Sequence, residues 1–255
     1  MTYKIYDLSN HIPHMCPSWP HLGMFREHVL RRVQHHTLGL PGGITRQVSV
    51  WEGQVHSGTH CDSPGHEKRG GWLTAEIPLD RCYGTGVVVD MRYMKKWDKI
   101  DAEALEKATP KIEEGDFVVL NTGWHRYWRV KEYVYHNHYP GIVPSGAWWL
   151  VKKKVIAVAA PWGSLDHPMA YADMKDDYKW RYDEYKKETG RDALEDFPDY
   201  EPCHNIICMN DILGIEMAGG QMDEVTGKRC TLAAFPCKLE GSRGIPLRLV
   251  AIVEE

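Results

Sequence analysis

The sequence predicts a mixed α/β domain, and three observations carry that prediction. Two helical stretches are each followed by a compact β-rich run: residues 101–108 then 115–123, and residues 146–153 then 155–160. Helix-then-strand order of this kind builds layered α/β domains. A further run, Thr85–Met91, is short and β-branched, as a buried strand is. No repeat, low-complexity tract or Gly/Ser-rich linker divides the 255 residues, so one domain over residues 1–255 is expected.

The elements follow in order. Lys4–Ser9 alternates loosely and reads as a short strand, and residues 45–56 alternate polar and apolar as a half-buried strand does. Asp101 can cap a short helix that carries Glu103 and Glu106 near its positive end, and Pro110 closes it. Pro144 and Ser145 precede the second helix. Residues 171–190 are charged, with Tyr171, Tyr178, Tyr182 and Tyr185 at helical spacing and Gly190 placed as a C-cap. They read as an exposed helix with one aromatic face, part of a helical insertion around 170–200. Residues 245–255 alternate well enough to form a closing strand.

Composition bounds the function. A formal net charge of -4 gives no reason to expect a nucleic-acid partner. No stretch reaches the roughly 18–20 apolar residues of a membrane span, and the N-terminus lacks the pattern of a secretory signal, so a cytoplasmic location is expected. Seven cysteines without repeating C-x-x-C spacing fit neither a disulfide framework nor a zinc knuckle.

Chemistry concentrates in His56-Ser57-Gly58-Thr59-His60-Cys61-Asp62-Ser63-Pro64-Gly65-His66. Two imidazoles and a carboxylate are good ligands for a divalent metal. On a helix Asp62 would point away from the histidines, and Gly58, Thr59 and Pro64 oppose a helix. On an extended strand His56, His60 and Asp62 share parity and leave from one face, with Gly58 keeping that face clear and Cys61 turned to the core. Pro64 then ends the ladder, and His66 lies beyond on a turn. Further donors are sought in the segment 202–216, where His204 and Glu216 sit in apolar sequence. An unpaired ionised carboxylate is expensive there. A metal would remove that cost, and so would an arginine such as Arg243.

The block HSGTHCDSPGH resembles the H-x-G-T-H-x-D-x-P-x-H signature of the metal-dependent cyclase family, which includes bacterial kynurenine formamidases and isatin hydrolases. The resemblance takes in YDLSNHI and Pro17-Ser18-Trp19-Pro20, LNTGWHRYW at 120–128, YPGIVPSGAWWLV at 139–151, and His204 with Glu216. It implies a swivelling β/β/α domain, assembled as a homodimer or homotetramer. It implies His56, His60 and Asp62 as ligands of a first ion, with His204 and Glu216 completing a binuclear site. His66 would be the general acid/base, Glu216 would join it in the catalytic set, and Trp19 would line the substrate pocket. Where the family block often continues with Phe, this chain has Glu67 and Lys68, a departure from a formamidase-type aromatic pocket.

The expectation that follows is a metal-dependent amidohydrolase, using one or two Zn²⁺ or Mn²⁺ ions, acting on a small aromatic or cyclic amide. Metal-activated water would attack the carbonyl while His66 moves the proton to the leaving nitrogen. Trp124, Trp128 and Trp162 lie in or beside loop-like sequence and join Trp19 as substrate-binding candidates. His125, His136, His138 and His167 lack a carboxylate at matching spacing and read as surface or pocket residues. A lactonase, a cyclase/dehydratase, or a catalytically silent metal- or ligand-binding protein are the rival readings.

Overall fold

The computed structural model describes residues 1–14, 16, 26–35 and 44–255. Its strands are β1 (Tyr3–Asp7), β2 (Arg26–His35), β3 (Ile44–Glu52), β4 (His60–Asp62), β5 (Tyr83–Asp90), β6 (Lys99–Ile100), β7 (Phe117–Asn121), β8 (Gly141–Ile142), β9 (Ala157–Ala159), β10 (Leu213–Glu216), β11 (Lys228–Ala233), β12 (Gly244–Pro246) and β13 (Val250–Glu254). Its helices are α1 (Ala102–Glu106), α2 (Glu132–Asn137), α3 (Pro144–Lys152), α4 (Lys179–Thr189), α5 (Ala193–Asp196), α6 (Pro202–Met209) and α7 (Met222–Val225).

The mixed α/β prediction holds. Nine strands form one sheet in the order β1-β13-β11-β5-β7-β9-β10-β4-β12. Strands β5, β7, β9 and β10 run parallel at its centre, and the flanking strands are antiparallel. The inner stretches 87–89, 117–120 and 157–159 are apolar throughout because both faces are covered. Val87, Val89, Val118 and Leu120 pack with Leu105 of α1, Ala147 and Leu150 of α3, and Ile207 of α6. Their neighbours Val88, Phe117 and Val119 turn the other way, into a second cluster with Leu8, Met222, Leu247 and Leu249. Burying one such side chain contributes about 1.5–3 kcal/mol.

Asp101 caps α1 as expected, accepting from the Ala104 amide, and Gly190 ends α4 with φ 71°. Two expectations need correction. Residues 245–255 do not form one strand, because Pro246 has no amide to donate to a continuing ladder. The segment splits instead: β12 pairs with β4 at one edge of the sheet, and β13 pairs with β1 and β11 near the other. Between them the Leu247 amide donates to Thr59 and the Leu8 amide to Leu249, so the sheet curls until its ends meet. The helix expected over 171–190 begins only at Lys179, and its aromatic face is buried rather than exposed. Tyr178, Tyr185 and the whole of Arg181 are covered, with the Arg181 guanidinium 4.2 Å from the Tyr178 ring and donating to Pro168 O and Asn137 Oδ1 at 2.7 Å.

His167 makes the fold sensitive to acid. It is fully buried against Phe197, its Nε2–H donates to Trp97 O, and its Nδ1 accepts from the Met169 amide, a pattern only the neutral ring satisfies. Burial pushes its pKa down to about 3. The unfolded chain therefore binds a proton below about pH 6.5 that the folded chain refuses, and stability falls as pH drops through that range. Between pH 7.5 and pH 5 this group alone removes about 2 kcal/mol. Urea unfolding of a His167→Gln protein should show a shallower loss over that interval than the unaltered protein. Parallel curves would remove His167 from the account.

Candidate metal centre

Strand parity across three neighbours builds the centre. On β4, His60 and Asp62 project from one face while Cys61 enters the core. Glu216 of β10 lies opposite His60, and Gly214 lies opposite Asp62. On the other side Gly244 of β12 also faces Asp62. Gly244 leaves room for a functional group, since a Cβ there would stand 2.4 Å from the His56 ring, and a Cβ on Gly214 would instead press on Leu165 at 2.7 Å.

His56 reaches the group differently from the sequence expectation. The strand does not extend from 56 to 62; β4 starts at His60, and the residues before it bend. Gly58 makes that bend with φ +60°, and a Cβ there would meet Ile12 at 2.4 Å. The glycine thus serves a backbone reversal, not a clear strand face. His56 still arrives beside the strand, its Nδ1–H donating to Asp62 Oδ1 at 2.6 Å. Pro64–His66 forms a single 3-10 turn, which hangs His66 over the group, 4.6 Å from the His56 ring and 6.2 Å from the His204 ring between centroids.

His204 sits in the first turn of α6, with Nε2 2.9 Å from Glu216 Oε1 and 3.4 Å from Asp62 Oδ2. Its position depends on Asp166, which the sequence reading missed. One carboxylate oxygen of Asp166 accepts from the Cys203 amide at 2.6 Å, and the other accepts from the His204 amide and its Nδ1–H at 3.0 and 2.6 Å. Asp166 therefore caps the helix and orients the imbedded imidazole together. The only signal for it in sequence is a lone carboxylate within a small and apolar run, which must find partners when buried. Asp166→Asn should weaken metal affinity about 10–100-fold, read by competition with a chelating dye, because the amide no longer holds the imidazole in one tautomer. Unchanged affinity would reduce Asp166 to a helix cap.

Glu216 does not pair with Arg243. Its Oε1 accepts from the Leu165 amide at 3.0 Å as well as facing His204, while Arg243 donates to Gly65 O. Glu216 is buried beside Asp62, and burial with that repulsion pushes its pKa up to about 7. Burial opposes the Asp62 charge too, but hydrogen bonds from His204 and His56 outweigh it and hold Asp62 well below the usual carboxylate range. Burial lowers both His60 and His66 to about 4. Burial also works against the His204 and His56 charges, yet Asp166, Asp62 and Glu216 raise the first well above its ordinary value and Asp62 raises the second.

These residues fit a divalent cation. The His60 Nδ1–H donates to Gly58 O at 2.8 Å, which leaves Nε2 as a bare lone pair. That Nε2 is fully buried with no hydrogen-bond partner among the described residues, and it faces Asp62 Oδ1 and Glu216 Oε2, both at 3.6 Å. Three acceptors facing one another repel unless a positive charge lies between them. Donor atoms bound at about 2.1 Å to one ion stand roughly 3.0–3.5 Å apart, close to this spacing. Two overlapping triads, His60–Asp62–Glu216 and His56–Asp62–His66, each hold donor atoms within 4.8 Å of one another. Asp62 belongs to both.

The tryptophans fare differently. Trp19 lies outside the described residues. Trp124 and Trp162 are buried core side chains on loop-like backbone: Trp124 donates to Tyr135 O, and Trp162 stacks on Tyr139 at 5.8 Å. Their apolar surface is spent inside the larger core cluster. Trp128 packs edge-on against Tyr135. Among the spare histidines, His125 faces Asp223 at 3.4 Å, His138 faces Glu184 at 3.0 Å, and burial depresses His136.

Comparison with known proteins agrees with this geometry. A family model described as "Putative cyclase" matches residues 6–167. The chain is 29% identical over 258 residues to "Cyclase-like protein 3" of Arabidopsis thaliana, covering 98% of this chain and 79% of that one. It is 25% identical over 226 residues to "Isatin hydrolase" of Roseibium aggregatum, covering 78% and 72%. The structure of isatin hydrolase A from Labrenzia aggregata, bound to benzyl benzoate, superposes with a TM-score of 0.76 at 19% identity, over 99% of this chain and 94% of that one. That likeness is one of fold.

Proposed function

The chain belongs to the cyclase family, and we propose that it is a metal-dependent hydrolase that cleaves a C–N bond of a small amide. The observation that carries this reading is the buried, unpartnered His60 Nε2 facing two carboxylates. The kinship with an isatin hydrolase, a lactam-opening enzyme by its name, supports the bond type. His56, His60, Asp62, His204 and Glu216 would supply the ligands of one or two ions, Zn²⁺ and Mn²⁺ both suiting N and O donors. Such an ion supplies polarisation of a carbonyl and acidification of water.

The chain's own residues do the rest. The His66 side chain is 30% exposed, makes no hydrogen bond among the described residues, and is neutral at pH 7 with its pKa near 4. It is free to take a proton from the attacking water and to deliver it to the leaving nitrogen. Asp62 and Asp166 fix the imidazoles around it, and the covered face of the sheet keeps bulk water from behind. Lactone opening or ring closure with loss of water would use the same groups, and product analysis separates them. The test is acid release by metal-reconstituted protein, with and without chelator, from N-formylkynurenine, isatin, simple cyclic amides and lactones. Chelator-sensitive release from an amide supports the reading. Metal-bound protein silent across the panel would remove it.

The assembly proposed is a homodimer or homotetramer. The ribbon β2–β3 pairs only with itself among the described residues, yet exposes Val29, Leu30, Val48, Val50 and Trp51. An isolated two-stranded ribbon is at best marginal in water, and a patch of this kind favours a partner. Light scattering should give a dimer or larger, and Leu30→Glu with Val50→Glu should shift it toward monomer. A monomeric unaltered protein at micromolar concentration would end this proposal.

A further inference from the structure

The residue after the proposed acid/base is a carboxylate to which no side chain donates a hydrogen bond among the described residues. Glu67 closes the 3-10 turn, its amide bonded to Pro64 O, and its side chain is 25% exposed beside His66. The carboxylate Oε1 stands 3.6 Å from His66 Nε2, beyond hydrogen-bond length, so the two share an opening without spending one another's capacity. Lys68 binds both oxygens of Asp211 at 2.8 Å, and Arg243 donates to the Gly65 carbonyl. The Lys68 amide also bonds to Pro64 O, so the residues on both sides of Glu67 are anchored and its place at the opening is set by the backbone. Among the described residues no hydrogen bond reaches its carboxylate.

Resting on the hydrolase reading, we infer that Glu67 is the leaving-group-binding residue of this site and selects amides whose nitrogen belongs to a basic alkyl amine. The chemistry is specific. In R–CO–NH–R′ + H₂O the carbon–nitrogen bond breaks and a carbon–oxygen bond forms, and His66 carries the water proton to nitrogen. An alkyl amine then takes the proton of the new acid, giving R–COO⁻ and R′–NH₃⁺. A nitrogen within hydrogen-bond reach of His66 lies beside Glu67 as well. An ammonium forming there meets a fixed negative charge, whereas a neutral aryl amine or an alkoxide does not gain from it. The same carboxylate repels an anionic leaving group, which sets amides apart from esters at this site.

Full-length, metal-loaded protein would be assayed with N-benzylformamide and formanilide, and binding of benzylammonium and aniline measured by calorimetry. Glu67→Gln should lower the ratio of kcat/KM for the benzyl over the anilide substrate about tenfold, and Glu67→Lys further, with metal content unchanged. Benzylammonium binding should weaken by a similar factor, and aniline binding should not follow it. A ratio and a benzylammonium affinity that both stay within about twofold in Glu67→Gln, with turnover intact, overturn the assignment alone. If neither formamide is cleaved by metal-loaded protein, the hydrolase reading fails on that result. Benzylammonium binding then still decides for or against an ammonium site at Glu67.

Discussion

Asp62→Asn protein is expected to lose its metal and, with it, turnover by at least about a thousandfold. Asp62 is the residue common to both donor triads, its two oxygens facing His56, His60 and His204 from one buried position. The amide keeps the shape and removes the charge, and it turns an NH₂ toward imidazoles that need an acceptor. Breaking a buried charge arrangement from one side costs about 3–5 kcal/mol, which is two to four orders of magnitude in binding. The metal-free fold should survive the change. Asp62 helps to push Glu216 up to about 7, so removing one of two repelling carboxylates relieves strain that only a cation otherwise offsets. Metal analysis after dialysis, isothermal titration and thermal unfolding of the apo protein read the three effects separately. Stoichiometric metal with turnover within about tenfold of the unaltered protein would dismantle the proposed centre.

Sequence parity placed part of this centre and missed part of it, for physical reasons that differ by residue. His60, Asp62 and Cys61 obeyed the period of two because β4 is a true strand between two others. His56 did not, since Gly58 adopts a left-handed turn that only its contact with Ile12 makes visible. The central strands β5, β7 and β9 were legible from apolar, β-branched runs buried on both faces, whereas β10 and β11 were not assigned. Their short apolar segments carry no period that distinguishes strand from helix. Asp166 was silent because its role lies in three hydrogen bonds to α6, far off in sequence. For Trp124 and Trp162, loop-like neighbours said nothing of how deeply the rings sink into the core. Signature residues close in sequence were therefore readable, and groups joined only by tertiary contacts were not.

His66→Ala is expected to cut turnover by about 10²–10⁴-fold while metal content stays at the level of the unaltered protein. The side chain is the most exposed of the six candidate groups, it belongs to a 3-10 turn held by backbone bonds alone, and its ring touches its neighbours without a hydrogen bond among the described residues. Removing it should therefore cost little stability. Burial holds its pKa near 4, so at pH 7 it is a neutral base with a vacant position, and loss of activity on acidification should set in below the ordinary histidine range. That acid limb should be absent from the weak residual activity of the alanine protein, and added imidazole should restore part of the rate. The competing role is built into the geometry, because His56, Asp62 and His66 also form a compact donor triad. If metal leaves together with activity and imidazole restores both, His66 is a ligand, and the proton must then be carried by another group at the same opening.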